Sequence, residues 1–186
     1  MALENRRHVG RSQLRNRALV LVAAFCSALW PSGSADGFTD SGEQEIPPPS
    51  CAITTPPEIQ FAPPKPYASK PAARDTFWYG SDGLWTRLPN DGQWRGLRTE
   101  SGYRTQLMLW RKGFDWRFSS ATNARITARR VGDVAPALIA RQPSGAYAPD
   151  IGSAMITLLD FPSPGCWEVN ASYDESRLRF VIYVPR

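Results

Sequence analysis

The sequence predicts an all-β fold for residues 73–186, and three observations lead to this prediction. No window between Arg74 and Arg186 repeats apolar residues at the 3.6-residue period of a helix. Short runs of alternating apolar and polar residues recur instead, separated by turns rich in Gly, Asn and Asp. Six tryptophans lie in this part of the chain and give it the bulk to fill a core. We therefore expect an antiparallel β-sandwich.

The predicted strands follow one another along the chain. The first two, residues 76–79 and 84–88, flank the turn Ser81–Gly83, and Asn90–Gly92 supplies the next turn. Further strand candidates are residues 107–110, 126–131 and 154–159.

The last two predicted strands, residues 165–173 and 178–184, carry the most information. In the first of them Trp167, Val169 and Ala171 share one face, and Cys166 lies on the other. A Pro-Gly entry, an aromatic residue just beyond it and a closing C-terminal hairpin are typical of the end of an immunoglobulin-like sandwich. Trp167 then stands where a Tyr is common, and Cys166 is expected to point away from the core.

The N-terminal residues 1–35 have the three parts of a secretory signal peptide. Five arginines and one Glu occupy the first 17 positions, and the 13 residues from Ala18 to Trp30 are uncharged and mostly apolar. Proline and small residues follow, so cleavage is expected after Ala35. An uncleaved anchor and a lipoprotein acylated at Cys26 are the alternatives. The apolar run is shorter than the roughly 20 residues that a membrane-spanning helix needs, so we expect no stable span after cleavage.

Removal of this segment changes what the composition implies. It takes away five of the 22 basic and one of the 17 acidic residues, so the formal net charge falls from +5 to +1 and nucleic acid is not an expected partner. It also removes His8, the single histidine, and with it Ser-His-Asp catalysis, Cys-His catalysis and histidine-ligated metal. No nucleophile elbow, phosphate loop or cofactor motif occurs in the remaining chain. We expect a monomer without a cofactor, in the periplasm or outside the cell.

The segment 36–72 is predicted to be an extended linker, because it holds nine of the 17 prolines. Cleavage leaves two cysteines, Cys51 and Cys166, and an even count in an oxidising compartment indicates one disulfide. Two free thiols are the alternative. A disulfide would pin the linker through Cys51 to the outer face of the sheet that carries Cys166.

The chain resembles a group of uncharacterised exported bacterial proteins with an immunoglobulin-like sandwich. Five of its segments occur in the same order in that group, and the last is the most specific: Cys51–Pro57, Tyr79–Trp85, Pro89–Gly92, Ala128–Arg130 and the Phe-Pro-x-x-Gly-Cys-Trp-Glu-Val string at Phe161–Val169. The resemblance implies an exported bacterial protein in which Cys51 and Cys166 are paired. It implies no activity and no catalytic residue.

Aromatic and basic residues between Gly92 and Phe118 give the leading functional hypothesis. Exposed rings beside arginines would suit stacking on a sugar or on a protein partner. The candidate partner-binding residues are Trp94, Trp110, Trp116 and Arg111. They predict a noncatalytic module that binds an envelope or extracellular partner or glycan.

Two other functions stay open at this point. A small envelope hydrolase would need two carboxylates across a cleft, because carboxylates are the only acid and base groups at hand. The candidates for such a pair are Asp115, Asp150, Asp160 and Glu168. A purely structural envelope protein would use the linker and the disulfide as its main features.

Overall fold

The protein is described by a computed structural model that covers residues 45–67 and 73–186. The predicted signal peptide, residues 1–35, lies outside the described residues, as do residues 36–44 and 68–72 of the predicted linker. No helix in the described ranges has the length and apolar content needed to cross a membrane.

Ten strands and one short 3₁₀ helix, Ala121–Asn123, make up the regular structure of the described residues. The strands are β1 Thr76–Ser81, β2 Leu84–Pro89, β3 Leu97–Thr99, β4 Gly102–Trp110, β5 Ala124–Arg130, β6 Leu138–Ile139, β7 Ser144–Ala148, β8 Gly152–Phe161, β9 Gly165–Tyr173 and β10 Ser176–Val184. All their pairings within the two sheets are antiparallel.

The strands form two sheets, which confirms the predicted all-β sandwich. Sheet 1 has the order β1-β2-β4-β8-β7, with β3 beside one part of β4, and sheet 2 has the order β10-β9-β5-β6. The path β2-β4-β8-β7 reproduces the A-B-E-D order of an immunoglobulin-like sandwich, and β5-β9-β10 reproduces its C-F-G order. Strands β1, β3 and β6 are additions to that arrangement.

Two parts of the strand prediction need correction. The predicted strand 107–110 is only the end of β4, which begins at Gly102, and β3 lies outside the predicted strands. The first half of β4 does not show the alternating pattern because Thr105, paired with the core residue Leu159, places a polar side chain on the inward face. Strands β6 and β7 are short and largely exposed, so they lack the alternation that marks a half-buried strand.

The main core lies between the two sheets and follows the period of two that strands impose. Its largest fully buried members include Phe77 from β1, Leu107 from β4, Phe161 from β8 and Phe180 from β10. Trp167 joins them with Val169 and Ala171, while Cys166 faces outward, as its position in the alternation predicts.

Trp167 also closes the corner between β8 and β9. Its indole Nε1 donates a hydrogen bond to the carbonyl oxygen of Ser163, four residues upstream, at 3.2 Å. A Tyr at the start of the equivalent strand makes the same kind of backward bond in immunoglobulin domains. Trp167 therefore takes the place of that Tyr in contact as well as in sequence.

Residues 45–67, which we call the strap, pack against both sheets. Cys51 forms the predicted disulfide with Cys166 on sheet 2, with a Cα–Cα distance of 5.7 Å. Three residues further on, the amide of Thr54 donates to the carbonyl of Val181, and the Val181 amide donates to Thr54 Oγ1. Phe61 and Tyr67 then lie on the outer face of sheet 1. The strap thus crosses the β10 edge and belongs to the folded body.

A second hydrophobic cluster holds the strap on sheet 1. Trp78, Trp85 and Trp110 are buried there with Ala154, on the face opposite the main core. The Tyr67 ring meets the Trp85 ring edge-on at a centroid distance of 5.0 Å, and the Phe61 ring lies 5.7 Å from it. The sandwich therefore has three layers at this point: strap, sheet 1 and sheet 2.

The strap and a neighbouring loop cover the outer edge of β10. Thr54 pairs with Val181, and the segment at Gly92–Trp94 exchanges backbone bonds with Tyr183 in a parallel bridge. The carbonyl of Arg179 accepts a bond from the Tyr79 hydroxyl at 3.0 Å. These contacts occupy backbone groups that an edge strand otherwise leaves free to pair with another chain.

The start of the strap is fixed by Glu45, and we expect this contact to depend on pH. The carboxylate accepts bonds from the Tyr183 hydroxyl at 2.6 Å and the Arg186 amide at 2.8 Å. The Tyr183 bond, followed by the Arg186 amide, lowers the pKa of Glu45, and the same bond raises the pKa of Tyr183. A lowered pKa in the folded state means that the stabilisation is complete above the ordinary Glu pKa of about 4.3 and is lost as the pH falls through the lowered value.

Hydrogen exchange at a series of pH values tests this contact at two amides, that of Cys51 on the strap and that of Arg186, which donates to Glu45. In wild type, protection should fall as the solution is acidified through that range. In Glu45→Gln, protection should be lower at neutral pH and should lose its acid-dependent step. Glu58→Gln, a change at an exposed position of the same strap, should behave like wild type. An acid step that survives in Glu45→Gln would show that another group controls the strap.

Candidate functional site

Two of the predicted binding residues are part of the interior. Trp94 is 7% exposed, and its ring packs against the rings of Phe161 and Phe180. Trp110 is fully buried, meets the Trp78 ring edge-on at 5.0 Å, and donates from its Nε1 to the Ile151 carbonyl. The prediction that these two rings bind a partner is therefore wrong, because a ring inside a hydrophobic cluster offers no surface.

Arg111 is held in place by contacts within the protein. Its guanidinium lies 4.5 Å from the centroid of the Tyr173 ring and pairs with the Asp174 carboxylate at 2.8 Å. Its carbonyl accepts a bond from the strap hydroxyl of Tyr67 at 2.7 Å. These contacts join the strap, the β4–β5 loop and the β9–β10 turn, so they make Arg111 a structural link.

Trp116 is the one predicted residue that presents a ring to solvent. It is 41% exposed and stacks on Tyr147, which is 57% exposed, with a centroid distance of 6.4 Å and an interplanar angle of 25°. The guanidinium of Arg117 lies 5.5 Å from the Trp116 centroid. We call Trp116, Arg117 and Tyr147 the aromatic patch.

Local hydrogen bonds fix the loop that carries Trp116. The Asp115 carboxylate accepts from the Arg117 amide at 2.8 Å, and the Asp115 carbonyl accepts from the Ser119 amide at 2.8 Å. The backbone of Trp116 lies directly over Gly145 of β7, where an added Cβ would meet the Trp116 carbonyl oxygen at 3.0 Å. The close approach that Gly145 permits sets Trp116 beside Tyr147. The two rings are therefore positioned before any ligand arrives.

The candidate acid and base groups are engaged in ion pairs or turns. Asp160 pairs with Arg104 and Arg141, and the Arg104 hydrogen bond is the largest cause that lowers the pKa of Asp160. Bonds from Asn170, then from Arg179, lower the pKa of Glu168. Asp160 and Glu168 lie on different sheets.

The remaining two candidate carboxylates lie in a loop and in a turn. Asp115 caps its own loop as described above, and Asp150 lies in the turn that precedes β8. A glycosidase needs a general acid whose pKa is raised. The pKa values of Asp160 and Glu168 are lowered instead, so neither carboxyl group is suited to that role. In the described ranges, no three His, Cys, Asp or Glu side chains come close enough together to hold a metal ion.

Sequence reasoning missed Tyr147, on which Trp116 stacks, and placed Arg117 in the basic region without pairing it with Trp116. Tyr147 lies 31 positions further along the chain, on a strand that the pattern did not reveal. The alternation Gly-Ala-Tyr-Ala in β7, with one large side chain between small ones, was the available signal for an exposed aromatic on a flat strand. The chain has no significant match among protein-family models, among curated proteins or among solved structures.

Proposed function

We propose that the protein is an exported, noncatalytic binding module that captures an envelope or extracellular glycan or protein through the aromatic patch. The observation that carries the proposal is the exposed, preorganised stack of Trp116 on Tyr147. The Cys51–Cys166 disulfide and the signal-like N-terminus support export, because disulfides persist in oxidising compartments. The resemblance to exported bacterial proteins points to the same setting.

The patch has the chemistry that such binding needs. Aromatic faces contribute a large apolar area at low entropy cost, because each side chain has few rotatable bonds. Arg117 places a cation over one ring and adds donors at the rim for hydroxyl or carboxylate groups. Water leaves both surfaces when a flat partner, such as a pyranose ring, covers the stack.

Substitution of Trp116 tests the proposal. Trp116→Ala should weaken retention of the protein in native gels containing envelope polysaccharide, or on immobilised envelope protein, by at least about tenfold, as expected for a central aromatic contact. Because the ring is exposed, the melting temperature should stay within a few degrees of wild type.

The neighbouring residue Phe118 supplies a matched control. It is 85% exposed on the same loop and lies outside the stack, so Phe118→Ala should bind like wild type. Equal losses in both variants would indicate nonspecific adhesion of an apolar loop. Unchanged binding in Trp116→Ala would remove the patch as the binding surface.

A further inference from the structure

The outer face of sheet 2 carries a separate concentration of arginines. Residues that face outward from β5, β9 and β10 line a cleft of about 370 Å³: Arg125, Thr127, Asn170, Ser172, Arg177 and Arg179, with Ala171 and Leu178 at its base. We call it the arginine cleft. It shares no residue with the aromatic patch, and it does not depend on the function proposed for that patch.

Strand register sets the spacing of the cleft. Ser172 on β9 is paired with Arg125 of β5 on one side and with Arg177 of β10 on the other. Neighbouring strands lie 4.7–4.9 Å apart, so the two arginine Cα atoms are roughly 10 Å apart with the serine between them. Both guanidinium groups can therefore reach a single anionic group held above Ser172.

In the next two rows, one carboxylate, Glu168, partly offsets the charge of two arginines. Arg179 pairs with Glu168, and Arg129 lies opposite Glu168 in the strand register and contributes to the lowering of its pKa. Within the described part of the chain, neither Arg125 nor Arg177 forms an ion pair with an acidic side chain. The row of Arg125, Ser172 and Arg177 thus holds two arginines with no acidic partner among the described residues.

The neutral groups beside this row narrow the class of ligand. Thr127, Asn170 and Ser172 offer two hydroxyls and one amide, and the amide nitrogen of Asn170 is directed to Glu168 at 3.0 Å. Its amide oxygen stays available as an acceptor for a hydroxyl donor. Two cations beside several neutral hydrogen-bonding groups match a ring that bears one carboxylate and several hydroxyls. A nucleic acid would instead require many phosphate contacts.

We propose that the arginine cleft binds a sugar acid, with the ring carboxylate between Arg125 and Arg177 and the ring hydroxyls on Thr127, Asn170 and Ser172. A guanidinium holds a carboxylate through paired, charge-assisted hydrogen bonds. The cleft volume lies at the lower end of the range for small-molecule sites, which suits one or two sugar units of a polymer.

Trigalacturonate, titrated into the protein by calorimetry, is the probe. Its trimethyl ester has the same rings and hydroxyls without the charge, and inorganic phosphate is a charged group without a sugar ring. We expect the acid to bind and to shift the amide resonances of β5, β9 and β10, and both comparison ligands to bind at least about tenfold more weakly.

Three substitutions make the test specific. Arg125→Ala and Arg177→Ala should each weaken binding of trigalacturonate by about tenfold or more, and both should fold because the side chains are exposed. Arg129→Ala removes the same charge from the same strand face outside the row and should have an effect of threefold or less. Trp116→Ala should leave this binding unchanged.

Several results would overturn the proposal. If Arg129→Ala lost as much affinity for trigalacturonate as Arg125→Ala and Arg177→Ala, the arginines would act only through general electrostatic attraction. Equal affinity for the methyl ester, or for phosphate, would show that the carboxylated ring is not what is recognised. Failure of folded wild type to bind trigalacturonate at millimolar concentration would also rule it out. None of these results bears on the aromatic patch, whose test uses Trp116.

Discussion

Removal of the Cys51–Cys166 disulfide is expected to lower the free energy of unfolding by about 4–5 kcal/mol, the loop-closure cost for residues this far apart in the chain. The two cysteines are separated by 115 positions, and the bond restricts the unfolded chain over that whole distance. Urea denaturation of the Cys51→Ala, Cys166→Ala double variant measures the change. Amides of residues 45–54 should lose protection from exchange first, because they lie next to the lost bond.

The reduced wild-type protein is the matched control for this variant. It has the native sequence without the bond, so its stability should agree with that of the double variant. A loss below about 1 kcal/mol in both would show that the unfolded chain is already restricted in the same way by other contacts.

Trp85→Ala is expected to lower the free energy of unfolding by about 3–5 kcal/mol, as large-to-small changes of buried aromatic residues do. Trp85 is fully buried at the centre of the second hydrophobic cluster, between sheet 1 and the strap. Loss of the ring removes the contacts with Phe61 and Tyr67, so the strap should detach from sheet 1. Chemical denaturation gives the cost, and hydrogen exchange of residues 61–67 reports the detachment.

Trp85→Phe separates the role of the ring from that of the indole nitrogen. Among the described residues, the buried Nε1 of Trp85 has no hydrogen-bond partner. Phenylalanine keeps an aromatic ring in the cluster and removes that unpaired donor. Trp85→Phe should therefore lower the free energy of unfolding by less than half as much as Trp85→Ala. If Trp85→Ala left both stability and strap protection unchanged, the strap would have to be held by the disulfide and the β10 contacts alone.

The end of the fold was predictable because its information is local. Alternation over Gly165–Tyr173 assigned Trp167 to the core and Cys166 to the outer face, and both assignments are confirmed. The outward direction of Cys166 in turn placed the disulfide outside the sandwich. A hairpin needs only its own side-chain pattern and its turn to be specified.

The second layer of packing could not be inferred in the same way. Phe61 and Tyr67 are isolated aromatics in a proline-rich segment, and no periodic pattern links them to sheet 1. The adjacent apolar pairs Phe77-Trp78, Leu84-Trp85 and Leu109-Trp110 were the usable signal. Consecutive large apolar residues in a strand indicate burial on both faces. On that basis Trp110 is predicted to lie in the interior and not on a binding surface.

The first part of the strap makes its contacts with the last part of the chain. The strap lies before all ten strands in sequence, but its Glu45, Cys51 and Thr54 contacts are made with β9, β10 and the C-terminal Arg186. Such contacts have the largest sequence separations in the fold, and contacts of this kind are slow to form because of the loops they must close. The first part of the strap, residues 45–54, can therefore dock only after the final hairpin has formed.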